Sequence, residues 1–348
     1  MHALFAGLTT LDVIHALDHE PNIATKTTST DHVMAAGGPA TNAAVTLSAL
    51  EKAAGCAREA ASSISLLSAI GEGMIASVIS ADLASADVHL LDATSVDSAQ
   101  KTPAISSIVE HPGGRMVAST NARIDIDVHE VTHLLDSVLV QDGAPDVVLI
   151  DGHNPAIADC VLRVGTLGEP DPDEDPFAHL EAKPLHQRIL DGGSWKPWLA
   201  PLLGFVDIAV VSADFCPPLL NEPTGPEVAS FLAGFGITRT IRTRGCESVQ
   251  WYWDGREGET EVDQVDAIST LGAGDVFHGA FAWAVGRLHV ADVPMPKDPS
   301  DLIRFASRIA GFSTTKFGTR SWCEAPEVVT AVEEFLGSFA SGVVKSSR

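Results

Sequence analysis

The sequence predicts an α/β protein with a largely parallel sheet, and two observations carry that prediction. Short apolar runs recur along the chain, and Ala-rich stretches with helical spacing separate them. Strands that alternate with helices favour parallel pairing, because each crossover brings the chain back in the same direction. A hairpin interrupts the alternation and adds a small β element.

In chain order, Leu4–Gly7 reads as the first strand and Pro39–Leu50 as a helix of small residues. Ser63–Ile70 is a strand, Ile75–Ala84 a helix and Val88–Leu91 a strand. Ser106–Val109 and Met116–Ser119 flank the turn His111-Pro112-Gly113-Gly114-Arg115 and form the hairpin. Val128–Leu139 is a helix and Asp146–Ile150 a strand. Gln187–Leu190, Val206–Val211 and Thr238–Arg242 continue the strand series, and Val249–Trp253 with Gly255 begins a second hairpin. Helices over Ala273–Gly286, Leu302–Thr315 and Glu327–Phe339 complete the set. Glu169–Pro176 carries five acids and three prolines, so the region of about 165–183 is expected to be an exposed acidic insertion. No linker divides the chain, and residues 1–348 are expected to form one domain.

The chain has 46 acidic and 22 basic side chains and a formal net charge of −24. Surfaces that bind nucleic acid or anionic lipid need Lys/Arg clusters to neutralise phosphates. This chain has no basic run, so neither partner is expected. A small anion is still admissible if backbone N–H groups, a helix start or a few placed arginines hold it. No apolar run approaches the ~20 residues of a membrane span. The segment Met1–Gly7 lacks a basic leader and reads directly into a strand. The five cysteines, 56, 160, 216, 246 and 323, are odd in number and form no CxxC. That usage fits a reducing cytoplasm and offers no disulfide framework or cysteine metal site.

Three motifs carry possible chemistry. His129-Glu130-Val131-Thr132-His133 is a literal HExxH, which on a helix would set two zinc ligands on one face. No third ligand follows at the required place, and the segment reads as a surface helix. Gly71-Glu72-Gly73-Met74-Ile75-Ala76 follows a strand, with Asp92 about twenty residues on. That is the layout of a nicotinamide dinucleotide site. Glu72 would sit against the pyrophosphate, so a tight strand-to-helix turn is the simpler reading.

The third motif is Ser269-Thr270-Leu271-Gly272-Ala273-Gly274-Asp275-Val276-Phe277-His278-Gly279. Gly272, Ala273 and Gly274 stand at the start of a helix, where free N–H groups and the helix dipole make an anion hole. A carboxylate at Asp275 would repel a phosphate that is merely bound. It makes sense as a base for an attacking hydroxyl while the helix end neutralises a transferring phosphoryl group. The alternative is an ordinary acidic helix start after a glycine turn.

This last motif resembles the C-terminal signature of ribokinase/PfkB-type carbohydrate kinases. Gly7-Leu8-Thr9-Thr10-Leu11-Asp12 resembles the first strand of that family with its sugar-binding aspartate. Gly37-Gly38-Pro39-Ala40-Thr41-Asn42 resembles its GG-x-x-x-N sugar motif, and Gly71-Glu72-Gly73 falls at its IGxD-type turn. Leu190-Asp191-Gly192-Gly193-Ser194-Trp195-Lys196-Pro197 and Thr243-Arg244-Gly245 follow in family order. The wording is most similar to ketohexokinase- and sulfofructose-kinase-type members.

The resemblance implies a Rossmann-like three-layer sandwich with a small β lid from about 13–36 and 101–120. It implies ATP-dependent phosphotransfer to a sugar hydroxyl in the cytoplasm, with Mg²⁺ and a monovalent cation near Gly318. Asp275 would be the base, with Gly272, Ala273 and Gly274 as the anion hole. Asp12, Gly37, Gly38 and Asn42 would hold the sugar, and Lys26 and Arg115 of the lid would meet an anionic substituent. Thr243, Arg244, Gly245 and Ser307 would line the nucleotide site. Two residues depart from the pattern: Ser269 stands where an aspartate is usual, and Ser212-Ala213-Asp214-Phe215 replaces an Asn-x-x-Glu motif, which leaves Asp214 as the candidate metal ligand. A homodimer through the lid is also implied. A catalytically inactive sugar- or nucleotide-binding regulator and a nicotinamide-dependent oxidoreductase using Gly71, Gly73 and Ala76 are the competing readings.

Overall fold

The computed structural model describes residues 1–22, 24–55, 63–120, 123–164 and 186–346. The Glu169–Pro176 insertion and Cys56 lie outside the described residues.

Among the described residues, nine strands form the main sheet in the order β13-β12-β11-β10-β9-β8-β1-β4-β5. These are β1 (His2–Ala6), β4 (Ser63–Ser68), β5 (His89–Asp92), β8 (Val147–Ile150), β9 (Gln187–Gly192), β10 (Ile208–Ser212), β11 (Arg239–Arg244), β12 (Glu247–Trp253) and β13 (Arg256–Thr260). All pairings from β5 through β11 are parallel, and β12 and β13 are antiparallel. The central strands β1 and β8 are buried along their whole length. This explains why they read as continuous apolar runs rather than alternating ones.

Helices cover both faces. One face packs under α1 (Pro39–Ala53), α2 (Met74–Ser85), α6 (Ala273–Val290), α7 (Ser300–Thr314) and α8 (Pro326–Ser346). The other packs under α3 (Val128–Asp142), α4 (Pro155–Leu162), α5 (Gly225–Ala233) and a 3₁₀ segment over Pro197–Phe205. The three-layer α/β arrangement is therefore as the sequence predicts. No helix among the described residues is long and apolar enough to cross a membrane.

A second sheet, of order β3-β2-β6-β7, stands apart. It comprises β2 (Thr10–Ala16), β3 (Asp31–Gly37), β6 (Ala104–His111) and β7 (Gly114–Ser119). The hairpin β6–β7 was legible from its turn. Strands β2 and β3 were not, because polar residues interrupt both segments, although β2 is largely buried. Helices α4 and α5 also escaped the apolar-period reading, although Asn154-Pro155 and Thr224-Gly225-Pro226 are both good starts. Asn154 accepts from the Ile157 amide, and Thr224 and Glu227 close a capping box.

The chain fills β1, β4 and β5 first and returns to place β8 on the other side of β1. The order reverses between β1 and β8, and in open α/β sheets ligands bind at the carboxyl ends of strands at such a point. Gly7 and Asp151 follow those two strand ends.

Candidate active site

Helix α6 begins at Gly272, which sits in the left-handed region (φ 72°) and leaves the helix start without a side-chain cap. The Ala273 amide donates to the Thr270 carbonyl at 3.4 Å, and Asp275 stands in the same first turn. Asn42 of α1 donates to Asp275 Oδ2 at 2.8 Å. Gly38, the residue before α1, has φ 103°, and a Cβ there would stand 2.2 Å from the Leu8 carbonyl. Only glycine lets the chain turn there against the loop after β1.

The Asp275 carboxyl is pushed up to about 7. Burial is the largest cause, the Asp191 charge adds to it, and the Asn42 hydrogen bond opposes it. Burial also raises Asp191 at the end of β9. His278, one turn along α6, lies 3.4 Å from Asp191 Oδ2, and its ring nitrogens face the carbonyls of Gly274 (2.7 Å) and Val210 (3.2 Å).

Asp12 on β2 lies beside Gly37, where an added Cβ would stand 2.0 Å from the carboxylate. Thr10 donates to Asp12 at 2.7 Å. Burial raises its carboxyl, while Thr10, Ser106 and the Arg320 charge hold it down.

Arg320 was not singled out by the sequence. Its guanidinium donates to Asn42 Oδ1 at 3.1 Å, to the Ala36 carbonyl and to Asp82 Oδ2 at 3.3 Å. It thus fixes the orientation of Asn42, so that the amide N–H₂ faces Asp275. Asp82 also accepts from the Ala36 amide at 2.8 Å. Asp151 accepts from the amides of Leu8 (2.8 Å), His153 (2.8 Å) and Ala40 (3.3 Å), joining three loops at the strand switch. No local pattern marks either residue, because their partners lie far away in sequence.

Thr243, Gly245 and Ser307 line one cavity of about 340 Å³ together with Ala273 and Gly274. Ser307 Oγ is buried without a hydrogen-bond partner. Arg244 turns away: it donates to the Ser248 carbonyl and pairs with Glu247 and Glu259. Arg115 lines a different cavity, of about 600 Å³, with Glu110, Ser269 and Thr270. Ser269 donates to Glu110 Oε1 at 2.9 Å. A carboxylate of the small sheet therefore reaches the position where the usual aspartate is missing. Lys26 is exposed in the β2–β3 connection, and Asp214 is exposed in the turn after β10.

The two other motifs have plain structural explanations. His129, Glu130 and His133 are exposed on α3, and no metal-holding cluster of His, Cys, Asp and Glu occurs among the described residues. At the glycine turn, Asp92 accepts from the Ile70 amide, Thr94 from the Gly71 amide and the Lys101 carbonyl from the Glu72 amide. The turn spends these amides on its own closure, so they are not offered to a pyrophosphate.

Residues 191–326 match the family model described as pfkB family carbohydrate kinase. Ribokinase from Giardia lamblia has the same fold, with a TM-score of 0.70 at 13% identity over 95% of this chain and 99% of that one. Arabidopsis thaliana ribokinase complexed with ribose and ATP gives 0.62 at 15% identity over 96% and 98%. Fructokinase with bound ATP from Xylella fastidiosa gives 0.67 at 16% identity over 96% and 98%. The C-terminal part of the chain is thus similar to a carbohydrate-kinase family model, and the chain as a whole shares the fold of ribokinases and a fructokinase.

Proposed function

We propose that the protein transfers the γ-phosphoryl group of ATP to a hydroxyl of a sugar, with Asp275 as the general base. One observation carries this reading: a carboxylate with a pKa near 7 stands in the first turn of an uncapped helix, held by the amide of Asn42. A base is most effective when its pKa lies near the working pH. The sugar hydroxyl gives its proton to Asp275 as its oxygen bonds to the γ-phosphorus, and the bond to the β-phosphate oxygen breaks to release ADP. The N–H groups of Gly272–Gly274 and the helix dipole stabilise the charge on the equatorial oxygens.

The cavity lined by Thr243, Gly245 and Ser307 suits the nucleotide, since its apolar walls meet the helix start and Ser307 Oγ lacks a partner. Asp12, Gly37, Gly38 and Asn42 would hold sugar hydroxyls. Arg115 opens toward Thr270 and would meet a phosphate or an anionic sugar group. Arg244 would have to leave Glu259 to reach a phosphate, so it is better placed as a strut for the β12–β13 edge.

Mg²⁺ normally binds through phosphate oxygens and one or two carboxylates, and it would supply charge neutralisation between the phosphates. Asp191, whose buried Oδ2 has no hydrogen-bond partner, and Asp214 are the carboxylates that fit. Glu110 and the region of Gly318 are the corresponding candidates for a monovalent cation. The small sheet acts as a lid, with the Glu110–Ser269 bond as its latch.

The test is ADP release from ATP and Mg²⁺ across ketoses, pentoses, nucleosides and their acidic derivatives. Sugar-dependent release is expected. Tight sugar binding without release would instead support a non-catalytic regulator.

A further inference from the structure

We propose that the cavity at the strand switch point is a subsite for an anionic substituent of the acceptor sugar, a carboxylate, sulfonate or phosphate carried away from the hydroxyl that faces Asp275. This inference rests on the sugar-kinase reading of the site.

The cavity measures about 670 Å³ and lies among the loops that follow β1, β4, β8 and β9, with the ends of β6 and β7 over it. Arg123, Lys196 and His153 line it, and among the described residues no carboxylate does. That is unexpected in a chain with more than twice as many acids as bases. Elsewhere Arg163, Arg188, Arg239, Arg287 and Arg308 each pair with a carboxylate. Among the described residues, Arg123 and Lys196 have no such partner. The Arg123 guanidinium lies 5.5 Å from the centre of the Trp198 ring. Contact with a π-face leaves guanidinium N–H groups for a ligand. Trp198 is itself anchored by its indole N–H to the Gly152 carbonyl at 2.7 Å. Among the described residues, Lys196 reaches only the Asp151 carbonyl, at 3.4 Å.

A third source of positive potential comes from the backbone. Asn154 and Pro155, at the start of α4, line the same cavity, so the positive end of that helix faces it. Burial lowers His153, and the charges of Lys196 and Arg123 act in the same direction against that of Asp151. A neutral imidazole can then donate one hydrogen bond without adding to the local charge. The hydroxyls of Thr9, Ser119 and Thr120 supply further polar contacts.

The cavity is also joined to the proposed chemistry. Thr9 on its wall shares a hydrogen bond with Thr41 at 2.9 Å, and the next residue, Asn42, holds Asp275. A sugar could thus place its hydroxyl at Asp275 and its charged end against Arg123 and Lys196. The cations would select against neutral sugars, because their desolvation is compensated only by an anion.

Matched neutral and anionic sugars test this. Glucose is compared with glucuronate, and fructose with fructose 6-phosphate and 6-deoxy-6-sulfofructose, by ADP release and by calorimetric binding. At least one anion is expected to bind with a KM tens-fold below that of its neutral counterpart, and the three anions separate carboxylate, phosphate and sulfonate. Arg123→Gln and Lys196→Met should each raise the KM for that anion by about 10- to 100-fold, the loss of one charge-assisted hydrogen bond. Arg123→Lys should recover part of the loss. Arg239→Gln, at the opposite end of the parallel strands, should leave the anionic preference as it was. A preference for neutral sugars, or an anionic preference unchanged in both cavity variants, overturns the subsite while leaving the kinase reading intact. Anion binding that is lost in the variants, with no ADP release from any sugar, retains the subsite and overturns the kinase reading.

Discussion

Asp275 combines two properties that oppose each other. Its position removes water from the carboxylate and brings Asp191 near, which raises its pKa to about 7, as the proposed role of base requires. Asp275→Asn is expected to lower kcat by on the order of 10³ or more while sugar binding persists, as calorimetry would show. In the unaltered enzyme, kcat/KM should rise as the pH passes about 7, because the deprotonated form is the active one. Stability should move the other way. Between 3.8 and about 7 the native state keeps a proton that the unfolded chain has released. The contribution of this group to stability therefore falls as pH rises through that window. Asp275→Asn should accordingly raise Tm at pH 8 more than at pH 4, and an equal shift at both would show that the carboxyl is not strained by burial.

Arg320 acts through other residues. It orients Asn42 and brings a positive charge near Asp12. Arg320→Gln should reduce kcat by roughly tenfold or more through Asn42, given that a hydrogen bond to a charged group is worth about 1.5–3 kcal/mol. It should also move the pH at which the sugar KM worsens upward, because Asp12 loses the charge that favours its ionised form. A purely structural role would lower Tm without moving that pH profile.

At the scale of elements, the site depends on how closely α1 and α6 approach. Both helices carry small residues at their contact, including Ala43 and Gly279. A Cβ on Gly279 would lie 2.4 Å from the Ala43 carbonyl. Gly279→Ala should force the helices apart, cost about 1–3 kcal/mol, and separate Asn42 from Asp275. Thermal unfolding and the kcat of the same variant would check both effects. A fall in Tm with normal kcat would mean that the separation is absorbed elsewhere. The small sheet shows the opposite design. Its edge strand β7 is exposed along its length, and the rest of the sheet is set by long-range pairing, β2 on β6 and β3 on β2.

At the scale of the molecule, the net charge of −24 makes the cleft a local exception. Arg123 and Lys196 line the cavity at the strand switch and Arg115 a neighbouring one, whereas many other cations are paired with carboxylates. The side chains of Met34, Met116 and Val117 on the small sheet are exposed, and we propose that a second copy of this chain covers them. Light scattering should report a dimer, and Met116→Asp should yield a monomer, since a charge at an apolar contact is costly to bury. A monomeric wild type would remove this expectation.

The sequence by itself determined the α/β class, the parallel strand series and the helix start at Gly272–Gly274 with Asp275. These are local features: apolar periods, glycine turns and short motifs act over a few residues, where chain geometry fixes what is adjacent. Only the tertiary structure decided that Asn42 touches Asp275, that Arg320 orients Asn42 from 278 positions away, and that Arg123 and Lys196 share one cavity. It also decided that Asp92 closes its own turn and is not poised for a ribose. Each of these depends on loops brought together by the sheet at its switch point, and on which charges that packing leaves without partners.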